Sequence, residues 1–136
     1  MGSLFTIDVR DYLASGQGET VTAGQLPIEP ARAIGVRRTG GLPSTHTMSS
    51  GPGNAHLEWP TVQILSRAPT YQAAEQIATN VHHLLDGLRP RTINGTAYEW
   101  AQALQQPFEL DRDENGRIIF ACNYVVAKVK DTSTST

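Results

Sequence analysis

The run from Arg117 to Lys130 constrains what this chain can fold into more than any other stretch. Ile118, Phe120, Cys122, Tyr124 and Val126 occupy one parity, and Ile119, Ala121, Val125, Ala127 and Val129 the other. Successive side chains of a strand point to opposite faces, so a strand here is apolar on both. Both faces then need cover, from the helix and loops of the same chain or from a neighbouring subunit. Asp113-Glu114-Asn115-Gly116, just before the run, is a strong turn signal. Phe108 to Leu110 reads as an extended segment that follows the break at Pro107 and leads into that turn.

A cover for one face is written into Tyr71 to Leu88. Ala74, Ile77, Ala78, Val81, Leu84, Leu85 and Leu88 recur at helical intervals of three and four, with Thr70 placed as N-cap and Gly87 and Pro90 marking the end. Such a helix would run for roughly 27 Å, enough to cover one face of a small sheet. Before it, Pro60 opens a strand over Thr61 to Arg67, with Val62 and Ile64 on one face and Gln63 and Leu65 on the other; Ala68-Pro69 end it. Pro30 to Arg38 reads as another strand through Ile34 and Val36, stopped by Gly40-Gly41.

Nearer the N-terminus, Leu4 to Ala14 brings Leu4, Phe5, Val9, Tyr12 and Leu13 close to helical spacing. That predicts a short amphipathic helix with Asp8 and Asp11 outward, ending before Gly16 and Gly18. After the Asn94-Gly95 turn, alternation puts Tyr98, Trp100 and Leu104 on one side of an extended segment and Glu99 on the other. The expected fold is α+β: a mixed or antiparallel sheet of about four to five strands packed against one long helix, plus a short N-terminal helix. One domain is expected over residues 1–130, with a long Gly-, Pro-, Ser- and Thr-rich loop at 40–56 and a flexible, polar tail at 131–136.

Composition narrows the function classes. At 39% hydrophobic and 18% charged residues, the chain has enough apolar material for a core and too little charge for wholesale disorder. Eleven Lys and Arg against thirteen Asp and Glu give a net charge of -2 without a basic cluster, which argues against affinity built on nucleic-acid phosphates. No apolar run approaches the roughly 20 residues of a membrane span. Asp8, Arg10 and Asp11 interrupt the first apolar stretch, unlike a signal peptide. A soluble chain made in a cytoplasm is expected, and a single cysteine suits a reducing compartment.

Catalytic signatures are missing. There is no GxSxG elbow, no cysteine-protease context, no Walker A pattern and no GxGxxG after a strand. Cys122, inside an apolar strand, reads as a buried small hydrophobe. His82 and His83 are adjacent, so on a helix they diverge by about 100° and cannot serve one metal together. His46 and His56 lie in the 40–56 loop, and two ligands fall short of the four that a closed zinc site needs. Asp111, Asp113 and Glu114 lack the spacing of a calcium loop and read as a solvated hairpin turn. Neither metal nor cofactor nor catalytic residue is therefore expected. A strand with two apolar faces beside a long loop suits a protein that works by assembling.

The stretches that carry a family resemblance are Pro60-Thr61-Val62-Gln63-Ile64-Leu65-Ser66-Arg67-Ala68, Tyr71-Gln72-Ala73-Ala74, Leu84-Leu85-Asp86-Gly87, Gln106-Pro107-Phe108-Glu109-Leu110 and Asp113-Glu114-Asn115-Gly116-Arg117, followed by a strand ending near Lys130. From about Leu26 to Lys130 this pattern resembles the tail terminator and minor capsid (head-tail joining) proteins of long-tailed bacteriophages. The resemblance implies a non-enzymatic virion subunit that forms a ring, typically of six copies, at the head-proximal end of the tail. Such a ring ends tube polymerisation and offers a docking surface to the head connector. Implied partners are the chain itself, the tail tube protein and the connector, with no sequence-specific nucleic acid and no membrane. The implied location is the virion, after assembly in the host cytoplasm.

Arg67 and Arg117, at the end of one core strand and the start of another, are candidate interface residues with Val125, His46 and His56. For the two arginines the competing reading is ordinary strand-end solvation. A head-completion or neck protein of the same assembly is the alternative, since sequence does not separate two small ring formers. A small enzyme using Cys122 or the loop histidines is a third reading, and a nucleic-acid binder a fourth that the charge disfavours.

Overall fold

The computed structural model describes residues 4–45 and 57–129. In chain order the elements are α1 (Phe5–Gln17), β1 (Thr20–Ala23), β2 (Ala33–Thr45), β3 (Leu57–Ala68), α2 (Tyr71–Leu85), β4 (Arg91–Ile93), β5 (Thr96–Ala103), β6 (Phe108–Arg112) and β7 (Ile118–Val129). All seven strands belong to one curled, mixed sheet in the order β1-β2-β3-β7-β5-β4, and β6 also pairs with β7. Among the described residues only the β1–β2 pair is parallel.

This corrects the expectation of four to five strands on one long helix. The two helices are of similar length, 13 and 15 residues. The additional strands, β1 and β4, have four and three residues, too short for alternation to register in sequence. Thr70 caps α2 as expected, its hydroxyl accepting from the Ala73 N–H at 3.2 Å. The helix nevertheless stops at Leu85 and not at Leu88. Asp86 closes the last turn through its N–H to the His82 carbonyl (2.8 Å), and Gly87, at φ 77, turns the chain so that its N–H reaches Ala101. Leu88 still reaches the core, as an isolated bridge to Ala101.

Gly40-Gly41 do not end β2. Gly40, at φ 117, lies where the register shifts by a bulge after Arg38. A Cβ on Gly41 would come within 2.9 Å of the Trp59 carbonyl oxygen. The pair thus bends the strand and lets it pack closely against β3, and the ladder continues to Thr45 opposite Leu57. Pro60 falls inside β3, opposite Gly41, and does not open it. Of the expected 40–56 loop, residues 40–45 are strand and 46–56 lie outside the described residues, as does the expected 131–136 tail.

Both helices cover the same face of the sheet. Phe5, Val9 and Leu13 of α1 and Ala74, Ile77, Ala78, Val81 and Leu85 of α2 form one core with Ile34, Val36, Val62, Ile64, Phe120, Cys122, Tyr124 and Val126. α1 runs on through Gly16, past its expected end, and stops at Gly18 in the left-handed region. Asp8, expected to point outward, is fully buried: the Tyr98 hydroxyl donates to its carboxylate, and so does the Asn94 amide at 3.0 Å.

Candidate functional site

With both helices on one side, no helix among the described residues lies over the opposite side of the sheet, and the ladder registers define its rows of side chains. Trp59, Ala127 and Trp100 form one row, since Trp100 sits opposite Ala127 and Trp59 shares the parity of Thr61, which is opposite Val125. The next rows are Thr61–Val125–Gln102, then Arg37–Gln63–Asn123, then Leu65–Ala121–Phe108. The small Ala127 lies between the two indoles, which meet edge to face at 5.5 Å. Trp59 and Trp100 are half-buried, and Phe108 is 36% exposed.

Sequence alternation placed Tyr98 and Trp100 on the same side. A bulge between them corrects this: Tyr98 pairs with Lys128 and Trp100 with Ala127, so Tyr98 enters the core while Trp100 faces the other way. Nothing local in the sequence announces that bulge. Val125, by contrast, lies where the parity of β7 put it, away from the helices, and is 6% exposed.

Arg67 and Arg117 come together at one end of the same face, where residues 24–32 fold over the sheet. The Arg67 Nε donates to the Ala31 carbonyl at 3.0 Å and its terminal nitrogen to the Pro30 carbonyl at 2.7 Å. Arg117 donates through Nε to Asp113 at 2.6 Å and through a terminal nitrogen to the Ile28 carbonyl at 2.8 Å. Both arginines are buried, at 3% and 8% exposure, so strand-end solvation does not describe them. Together they tie the β1–β2 connection to the β6–β7 turn. A cavity of about 330 Å³ lies beside them, lined in part by Leu26, Ile28 and Glu114.

Asp113 organises the turn that delivers Arg117. One carboxylate oxygen accepts from the backbone N–H groups of Asn115 and Arg117, each at 2.9 Å, and the other from the Arg117 guanidinium. Desolvation works to raise this carboxyl, but those hydrogen bonds outweigh it and hold the group below its ordinary value. Burial, and next the neighbouring Arg117 charge, push the Arg67 guanidinium down.

Cys122 is buried and its thiol donates to the Gln105 carbonyl at 3.2 Å; burial pushes the thiol up, away from the thiolate that nucleophilic chemistry uses. On α2, His82 lies 3.7 Å from Asp86 and beside the Tyr124 ring, while His83 is exposed. His46 and His56 fall outside the described residues. Among the described residues no group of three or more His, Cys, Asp or Glu side chains is placed to hold a metal ion. No described helix is long and apolar enough to cross a membrane. Among the described residues the arrangement offers a partly apolar sheet face with an arginine-tied end.

Comparison with known proteins gives the arrangement a context. A family model described as "Bacteriophage tail terminator protein" matches residues 9–130. Among solved structures, a chain of the virion of a native gene transfer agent particle is 12% identical, with 93% of this chain and 95% of that one covered at a TM-score of 0.58. A second solved chain is 17% identical over 90% of this chain and 89% of its own, at a TM-score of 0.49. No curated protein sequence matches.

Proposed function

This chain belongs to the bacteriophage tail terminator family, whose members are structural proteins, and on that premise we propose that it forms a ring that caps the tail tube. The ring ends tube polymerisation at the head-proximal end and presents the docking surface for the head connector. The observation that carries this reading is the family match across residues 9–130. The fold agrees with it physically. Ring subunits need surface for two neighbours and for the tube, and the helix-free sheet face is proposed to provide it, through the half-buried Trp59 and Trp100 and the exposed Phe108, with Val125 buried among its rows.

Arg67 and Arg117 serve this surface from below, by fixing the connection that borders it. His46 and His56 belong to the segment between β2 and β3 and are proposed to meet the tube or a neighbour. Six copies are proposed for the ring, assembled in the host cytoplasm. The chain up to residue 130 is proposed to act as one unit.

The test is to add the purified chain to tail tube protein during polymerisation and to measure tube lengths by electron microscopy. Shorter tubes with added density at one end are expected. Unchanged lengths, with binding to isolated connector instead, would overturn the capping role in favour of the neck protein.

A further inference from the structure

Among the described residues several strand edges of the sheet are open: those of β1 and β4 at the ends of the strand order, that of β2 beyond the reach of β1, and that of β6. β1 covers the outer edge of β2 only as far as Val36, where the Gly24 N–H donates to the Val36 carbonyl at 2.7 Å. From Arg37 onward, among the described residues, β2 is paired on its β3 side alone, and residues 37–41 are exposed. On the far side of β7, next to the stretch that β5 covers, β6 pairs among the described residues only with β7, and all five of its residues are exposed, Leu110 and Phe108 included. An open edge of unpaired N–H and C=O groups is a template for another strand.

Charge distinguishes the edges of β2 and β6. β2 carries Arg38 opposite Val62, on the helix-covered face, and Arg37 opposite Gln63, on the helix-free face. β6 carries Glu109 opposite Phe120, on the helix-covered face, and Asp111 opposite Ile119, on the helix-free face. β2 thus presents one basic charge on each face and β6 one acidic charge on each face, with Arg112, opposite Ile118, standing beyond Glu109 on the helix-covered one. Directions match as well. β2 is antiparallel to β3, β3 to β7 and β7 to β6, so β2 and β6 run oppositely. Continuing the sheet from one copy into the next makes an antiparallel joint, the slightly more stable kind.

We propose that copies of this chain join head to tail through these edges, the acidic β6 of one subunit pairing with the basic β2 of the next. Arg37 then faces Asp111 and Arg38 faces Glu109 across the joint. The contact is heterologous, which is what a ring requires. Existing partners compete weakly. Arg37 donates to Gln63, Arg38 lies over the ring of the buried Phe5, Glu109 is 3.6 Å from Arg112 and Asp111 accepts from the Arg112 backbone N–H at 2.7 Å, while the four charged side chains themselves are exposed. Each edge also has a bulge, after Arg38 and after Glu109, so the joint is short and the charges set its register.

This inference rests on the ring reading, and charge exchange separates the two. One variant carries Glu109→Lys and Asp111→Lys, the other Arg37→Glu and Arg38→Glu. Each should keep the wild-type circular dichroism, because all four side chains are exposed. Light scattering and sedimentation should show wild-type rings, and each variant alone should need about tenfold or more higher concentration to assemble. An equimolar mixture should restore rings, since every joint in an alternating ring again pairs acid with base. Variants that assemble like wild type, or a mixture that stays dissociated, would overturn the joint and leave the ring standing. A wild-type chain that forms no ring, alone or on tube ends, would overturn the ring itself and the joint with it. Should one variant misfold, the milder Arg37→Gln with Arg38→Gln keeps the test decisive: with wild-type circular dichroism it should still need a higher concentration to assemble, and unchanged assembly would overturn the joint.

Discussion

The hydroxyl of Tyr98 on β5 donates to the carboxylate of Asp8 on α1, ninety positions away in the chain, at a site closed to solvent. Burial, then the adjacent carboxylate, pushes the phenol upward, so it stays protonated as the donor. The contact fastens the N-terminal helix to the β4–β5 hairpin, together with Asn94 at the tip of that hairpin. Tyr98→Phe removes the donor and leaves the buried carboxylate short of one partner. A loss of about 1–3 kcal/mol in urea unfolding is expected, and an unchanged midpoint would show that Asp8 is not held by this bond.

Arg67→Met should be costly in a different way. It strips donors from the Ala31 and Pro30 carbonyls and releases residues 24–32 from the sheet. Hydrogen bonds from a charged donor contribute about 1.5–3 kcal/mol, so a loss of that order is expected. The freed connection should also become the first site cut in limited proteolysis. Cleavage elsewhere, with 24–32 still protected, would mean that the Arg117 bond to the Ile28 carbonyl and the packing of Leu26 against Gly35 suffice to hold the connection.

The Asp113 carboxyl links this end of the sheet to pH. Its folded-state value lies below the ordinary 3.8, so ionisation favours the folded chain. The contribution is complete above the unfolded value and is lost as pH falls through the lower folded one. Asp113→Asn should therefore melt below wild type at pH 6, and the gap should narrow as pH drops beneath 3.8. A gap that is constant across this range would assign the effect to packing and not to charge.

Much of the helix-covered side was legible because periodicity records burial. The alternation of β7, the spacing of α2 with its Thr70 cap and the turn at Asp113 to Gly116 all follow from local residue order. What escaped depends on distant partners. Asp8 looks like an outward acid until Tyr98 is folded over it. Arg67 and Arg117 meet only through the 24–32 connection, which has no period to read. The bulge that divides Tyr98 from Trp100, and the use of Gly40-Gly41 to bend a strand instead of ending it, are set by register with β7 and β3. Strand count failed for a related reason, since β1 and β4 are held by their neighbours rather than by their own composition.

Trp59 and Trp100 should be energetically coupled across Ala127. Edge-to-face pairs contribute about 0.5–1.5 kcal/mol beyond burial, so a cycle of Trp59→Ala, Trp100→Ala and the double variant should give a coupling of that size. Ala127→Leu should reduce it by wedging the indoles apart, because Ala127 occupies the row between them. Strict additivity in the cycle would mean that the rings touch without a specific interaction.

Val125 is where folding and assembly can be told apart. It is 6% exposed, on the face that the helices leave uncovered, between Thr61 and Gln102. Val125→Asp puts a carboxylate among these neighbours at a cost on the order of 3 kcal/mol, while Val125→Thr keeps the shape and adds a hydroxyl that Thr61 or Gln102 can partner. If the face is structural only, both variants should assemble in proportion to their folded fraction. If it also meets the tube, Val125→Asp should lose tube capping even at temperatures where circular dichroism shows it folded, and Val125→Thr should retain most of it. Full capping by folded Val125→Asp would place the tube-binding surface elsewhere, and the helix-covered side would then be the next to mutate.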